Sequence, residues 1–174
     1  MDRIEVYIGI GSNLGDRMVN IVNGLTLLGR KIQIKQMSSI YETVPVGFVN
    51  QPVFLNCVFG GTTYLSPKDL LSFLKEIEGL MGRTETFQGG PRVFDADILF
   101  YGKTVLESHS LTIPHPGIKA RAFVLIPLCE IACELLHPGL GKTALELLEE
   151  LKDTNGVVFH SQPPTIDIIP SQKC

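Results

Sequence analysis

Two amphipathic helical stripes, each set between strand-like apolar runs, constrain the fold of this chain more than any other feature. Residues 4–10 read as a buried strand, and Gly11-Ser12-Asn13-Leu14-Gly15-Asp16 as a turn that opens a helix. Met18, Ile21, Val22, Leu25 and Leu28 then recur at helical spacing, and Gly29 is the expected stop. Residues 32–41 read as one strand, 43–52 as a loop rich in proline and glycine, and 53–63 as the next strand. Ser66-Pro67 supplies a capping hydroxyl and a first-turn proline. Leu70, Leu74, Ile77 and Met81 continue from it as a second stripe that Gly82 ends, and residues 95–101 form another strand after a polar loop. The order is βαββαβ. It predicts an α+β fold of ferredoxin-like type, with a mainly antiparallel sheet and two helices packed on one face.

The rest of the chain predicts C-terminal additions: a loop over 108–120, helical turns over 124–135, and a helix over 143–151. The tail 157–174 contains Pro163, Pro164 and Pro170 and is expected to be extended or loosely packed. No repeat or linker divides the chain, so one domain over 1–174 is expected. At 174 residues such a chain buries one sizeable core. A net charge of −3 argues against wide nucleic-acid binding, which needs a basic face. The start of the chain lacks the pattern of a signal peptide, and no apolar run is long enough to span a membrane. Cys57, Cys129, Cys133 and Cys174 form no CxxC pair, so reduced, mostly buried thiols of a cytoplasmic protein are the expectation, ahead of a zinc site; a monomer is also expected.

Two phosphate-binding motifs are incomplete. Gly141-Lys142-Thr143 resembles the end of a P-loop, but the glycine required five positions earlier is Leu136. Gly9-Ile10-Gly11 resembles a dinucleotide turn, but Leu14 holds the third glycine position.

Three other segments carry chemistry. In Gly90-Pro91-Arg92-Val93-Phe94-Asp95-Ala96-Asp97-Ile98, the two-residue strand repeat puts both carboxylates on one face. Paired hard oxygens suit Mg²⁺ shared with phosphates, and Arg92 stands upstream as a phosphate cation. A bare DxD reads more readily as the solvated face of an edge strand; the flanking GPR and the loop before it favour the metal. Leu111-Thr112-Ile113-Pro114-His115-Pro116, with Lys119 and Arg121 beyond it, offers a stiffened histidine and a basic wall for polyphosphate, or else an ordinary solvated loop. Phe54 and Asn56 share a strand face, where a ring beside a carboxamide can stack on a flat heterocycle and read its amide edge. Phe123 is a candidate for the other side of that stack, although core packing is the commoner fate of phenylalanine.

Taken together, IGIGSNLGD, IYETVPVG, QPVFLN, GPRVFDADILFYG and LTIPHPGIKARAFVLIPLCEIA resemble the 6-hydroxymethyl-7,8-dihydropterin pyrophosphokinase family over most of residues 4–138. The resemblance implies a ferredoxin-like fold, ATP as co-substrate, two Mg²⁺ ions and a pterin substrate. It assigns Asp95 and Asp97 to the metals, and Thr43, Val44, Val46, Phe54, Asn56, Asp95 and Phe123 to the pterin pocket. It assigns Glu78, Arg83, Arg92, Ile98, Leu111, Thr112, His115 and Arg121 to the nucleotide site. The implied reaction is attack by the pterin's hydroxymethyl oxygen on the β-phosphorus of ATP, releasing AMP. Arg83, Arg92, His115 and Arg121 then offset triphosphate charge beside the two aspartates. No residue is singled out as a general base.

The chain departs from the family in its loop 83–90, which is shorter and lacks a second arginine and the tryptophan that precedes GPR. Phe87 is the aromatic left to cover the nucleotide, and a mobile lid is the expectation. Ser110 also stands where many members have arginine. These losses bear on ATP binding, and they keep a pterin-binding protein with weak or lost kinase activity as the alternative. A ferredoxin-like RNA-binding module is a second rival, but the aromatic motif of such modules is missing and the DxD pair would have no use.

Overall fold

The computed structural model describes residues 2–82 and 89–166. Its elements follow the predicted order. Strand β1 (Ile4–Ser12) leads into helix α1 (Arg17–Leu28), then β2 (Ile32–Met37), β3 (Ile40–Thr43), β4 (Phe54–Thr63), α2 (Pro67–Leu80) and β5 (Asp95–Tyr101). After them come a small ladder of β6 (Leu106–Glu107) with β7 (Thr112–Ile113), a 3₁₀ turn (Ile118–Ala120) and α3 (Ala122–Ala132). A hairpin of β8 (Leu136–His137) and β9 (Lys142–Thr143), α4 (Ala144–Glu149) and β10 (Val157–Ser161) complete the list.

The turn over 11–16 opens a helix as expected, and so does the Ser66-Pro67 start. Asp16 caps α1 by accepting Val19 N–H, and Ser66 caps α2 by accepting Asp69 N–H with proline in its first turn. Thr143 opens α4 through a reciprocal capping box with Glu146, so Gly141-Lys142-Thr143 is a helix start.

The main sheet has six strands in the order β10-β3-β4-β1-β5, with β2 also paired to β4. The pairings are antiparallel. The expected single strand over 32–41 is two. Ser38 breaks it: its hydroxyl accepts Val58 N–H at 3.0 Å, so a side chain replaces the strand's carbonyl in the ladder. The tail, expected to be loose, begins with β10, which pairs with β3 over Val157–Ser161.

Period-two alternation divides the core. Val6, Ile8, Ile10, Leu55, Cys57, Phe59, Ala96 and Ile98 face α1 and α2 and pack with Leu25, Leu70 and Leu74. Tyr7, Val58, Leu99 and Phe100 face the other way, under Val124, Leu125, Leu128 and Leu147 of α3 and α4. The C-terminal helices therefore cover the second face of the sheet, a face to which the strand order assigned no cover. Each fully buried aliphatic or aromatic side chain contributes roughly 1.5–3 kcal/mol. No helix among the described residues is long and apolar enough to cross a membrane.

Candidate active site

The second face of the sheet carries the chemistry. Gly11 on β1 pairs with Asn56 on one side and Asp95 on the other, and Gly9 pairs with Val58 and Asp97. Asn56, Asp95 and Asp97 thus stand on one surface across three adjacent strands. Gly11 is required there: a Cβ would lie 2.4 Å from Asn56 Oδ1. Asn56 Nδ2 donates to Thr43 Oγ1 at 2.6 Å, which leaves Oδ1 as the outward acceptor.

A cavity of about 350 Å³ opens on this surface, lined by Thr43, Val44, Val46, Phe54, Asn56, Lys75, Gly89, Arg92, Asp95, Asp97, His115, Arg121 and Phe123. A neighbouring one of about 290 Å³ is lined by Leu71, Lys75, Ala96, Asp97, Ile98, residues 108–112, His115 and Pro116. Asp97, Lys75 and His115 border both.

Burial, and then the charge of Asp95, push the Asp97 carboxyl up to about 6. Such a pair accepts a cation readily. Among the described residues no cluster of three or more His, Cys, Asp and Glu could hold a metal alone. The donor set therefore fits Mg²⁺ that completes its shell with phosphate and water.

Arg92 is fixed from behind by Asn13, a buried residue at the end of the β1 segment. Asn13 Oδ1 accepts Arg92 N–H at 2.8 Å, and Asn13 N–H donates to Arg92 carbonyl at 3.1 Å. Asn13 Nδ2 also donates to Gln51 Oε1 and to Pro52 carbonyl, each at 2.9 Å. Gln51 in turn donates to the carbonyls of Phe48 and Gly89. This network holds the loop over 48–52 and the GPR segment together. The Arg92 guanidinium lies 5.4 Å from the Phe54 ring centroid, with Nε 3.4 Å from Asp95 Oδ2. That Nε is buried, makes no hydrogen bond among the described residues, and faces the Asp95 carboxylate as its ion-pair partner.

His115 is placed by main chain: its N–H donates to the carbonyl of Leu99, where β5 carries a register irregularity against β1. Its Nδ1 accepts Gly117 N–H at 2.9 Å, so the ring proton sits on Nε2, 3.9 Å from Asp97 Oδ2. Burial and then Arg121 lower its pKa to about 4. His115 is therefore a neutral donor and not one of the cations expected of a basic wall. Lys119 does not line the cavities; its charge acts on His137 instead. Arg121 does line the first, over the Phe123 ring at 5.6 Å. A Cβ at Gly117 would lie 2.6 Å from Arg121 Nε, so that glycine makes room for the guanidinium.

All seven residues assigned to a pterin pocket line the first cavity. Of the nucleotide set, Arg92 and Arg121 line the first cavity, Ile98, Leu111 and Thr112 the second, and His115 both. Glu78 lines neither; it is buried, and Oε1 accepts Ala96 N–H at 3.0 Å, between the two aspartates. Arg83, Phe87 and the lid they were expected to form lie outside the described residues. Sequence reasoning missed Gly11, Asn13, Gln51 and Lys75. The strand parity of Gly11 against Asn56 and Asp95 was the available signal for the first.

Residues 7–133 match the family model of 7,8-dihydro-6-hydroxymethylpterin-pyrophosphokinase. The chain belongs to this family. It is 43% identical over 159 residues to the folic acid synthesis protein FOL1 of Dictyostelium discoideum, covering 91% of this chain and 24% of that one. It is 40% identical over 145 residues to the 2-amino-4-hydroxy-6-hydroxymethyldihydropteridine pyrophosphokinase of Aquifex aeolicus, covering 83% and 91%. The chain thus spans about a quarter of the first relative and nearly all of the second. Among solved structures, an HPPK-DHPS in complex with substrates superposes with a TM-score of 0.69 at 17% identity, covering 85% of this chain and 43% of that one. Wild-type Plasmodium falciparum HPPK-DHPS with pterin and p-hydroxybenzoate does so with a TM-score of 0.69 at 17% identity, covering 86% and 42%. These likenesses show the fold, and with it the expected ferredoxin-like core. In this member of the pyrophosphokinase family, Ser110 borders the second cavity.

Proposed function

We propose that this chain transfers the pyrophosphoryl group of ATP to the hydroxymethyl oxygen of 6-hydroxymethyl-7,8-dihydropterin, giving AMP and the pterin diphosphate. One observation carries the reading. A pocket with an aromatic floor and a carboxamide acceptor shares its wall with the paired aspartates, and Asp97 also borders the neighbouring cavity. Phe54 and Phe123 both line this cavity and are the rings on which a flat heterocycle would stack, with Asn56 Oδ1 accepting from its amino or ring N–H. The nucleoside then occupies the second cavity, along Ile98, Leu111 and Thr112.

In this reading Asp95 and Asp97 hold two Mg²⁺ ions, which neutralise phosphate charge and raise the electrophilicity of phosphorus when bound. The protein's own groups position the reactants. Arg92 and Arg121 offset charge on the terminal phosphates, and His115 donates from Nε2 without adding charge. The oxygen–phosphorus bond to the pterin forms as the bond from the β-phosphorus to the α,β-bridging oxygen breaks. AMP leaves with that electron pair, and the hydroxyl proton passes to solvent. AMP release, assayed with and without the dihydropterin, tests the proposal. Release that requires both substrates supports it. Pterin binding without AMP release would favour the binding-protein alternative.

A further inference from the structure

Helix α3 carries Phe123 in its first turn and Glu130 near its end. Seven residues make close to two turns, so both side chains leave the helix on one side, about 10 Å apart along its axis. Val124, Leu125 and Leu128 bury the helix on the sheet, but apolar packing is non-directional and does not fix its distance from any one strand. Glu130 supplies the direction. Its Oε2 accepts Ser39 N–H at 2.6 Å, and its Oε1 accepts the Tyr41 hydroxyl. Ser39 is buried at the break between β2 and β3, where its N–H has left the ladder and needs another acceptor. The carboxylate thus ties α3 to β3 at two points.

Those points adjoin the first cavity. Tyr41 pairs with Asn56 and Thr43 with Phe54, so these four side chains share one face. Thr43 Oγ1 in turn accepts from Asn56 Nδ2. Glu130 and Tyr41 themselves line neither cavity. For a flat heterocycle stacked on two rings, a gap of about 0.5–1 Å on one side forfeits a quarter to a half of the dispersion attraction there. Its affinity therefore depends steeply on the spacing between the helix that bears one ring and the strands that bear the other. Resting on the reading above, we propose that Glu130 is a positioning residue for the heterocycle. By holding α3 to β3 it sets the separation of Phe123 from Phe54 and Asn56, and with it the affinity for the pterin.

The test has two arms. In the first, wild-type protein is assayed for pterin-dependent AMP release, and its absence sinks the proposed transfer. In the second, calorimetry compares wild type, Glu130→Ala, Glu130→Gln and Tyr41→Phe. It measures binding of an α,β-methylene ATP analogue with Mg²⁺, and then of the dihydropterin to protein saturated with that analogue. Glu130→Ala weakens pterin binding by roughly tenfold or more and leaves analogue affinity within about twofold. Glu130→Gln recovers most of the pterin affinity, because its oxygen accepts Ser39 N–H while its amide donates to the Tyr41 oxygen. Tyr41→Phe removes one of the two ties, weakens pterin binding less than Glu130→Ala, and adds little when combined with it. Should Glu130→Ala not fold, Tyr41→Phe decides: a loss confined to the pterin supports the inference, and unchanged affinity overturns it. Unchanged pterin affinity in Glu130→Ala overturns it whatever the first arm gives. So does an equal loss of both ligands, or a Glu130→Gln variant as weak as Glu130→Ala. A wild-type protein that binds no pterin overturns this inference and the proposed function together.

Discussion

At the scale of single residues, the site depends on side chains that never meet a ligand. Asn13 makes four hydrogen bonds, counting its own N–H, to Arg92, Gln51 and Pro52. Removing a buried partner costs about 1–3 kcal/mol for each group left unpaired. Asn13→Ala is therefore expected to lower stability by roughly 2–4 kcal/mol and to release Arg92. Denaturant unfolding checks the first effect, and the KM for ATP against that for the pterin checks the second. Asp97 shows the opposite balance. Its carboxyl is pushed up to about 6 by burial and by Asp95, so its ionisation works against the apo fold. A carboxyl raised in this way stabilises the folded state at low pH and loses that contribution as pH rises through about 6. Asp97→Asn should raise the apo Tm at pH 8, leave it nearly unchanged at pH 4, and abolish turnover. A lower Tm at pH 8 would mean that the two carboxylates are not in conflict.

At the scale of elements, helix α1 illustrates packing overriding propensity. Gly24 lies in its middle, where alanine would be favoured by about 1 kcal/mol. A Cβ there would stand 2.2 Å from the ring of Phe94, which is fully buried. Overpacking of this kind costs about 1–3 kcal/mol and wins. Gly24→Ala is expected to destabilise the protein despite a better helix, and Gly24→Ala with Phe94→Leu to recover part of the loss. Thermal unfolding of both variants decides the sign. The coupling has a functional side, because Phe94 directly precedes Asp95. Strand β5 is likewise held by more than its ladder: Glu78 from α2 takes Ala96 N–H, and His115 N–H takes the Leu99 carbonyl.

At the scale of the whole molecule, the wall of the first cavity at Thr43 and Val44 depends on a distant part of the chain. β10 covers the open edge of β3, and Val44 N–H donates to Gly156 carbonyl at 3.0 Å. Gly156 has φ +77°, and a Cβ would lie 2.5 Å from Val44. Ending the chain at Asn155 should therefore weaken pterin binding by about tenfold or more while sparing the ATP analogue, and should expose a sheet edge that promotes association. Calorimetry and light scattering would show both; equal loss of the two ligands would mean general unfolding instead. What the sequence determined by itself was local: the cap at Ser66, the helix-opening turn that ends at Asp16, the strand over Asp95–Tyr101, and the shared face of its two aspartates. These follow from short-range periodicity and backbone chemistry, which neighbouring residues carry unaided. The break at Ser38, the use of Gly11 as an open floor, the clamp by Asn13, the burial of Glu78 and the closure by β10 were decided only by the tertiary structure. Each depends on which strand becomes a neighbour, and that is set by burial of two core faces, which no local window of sequence contains.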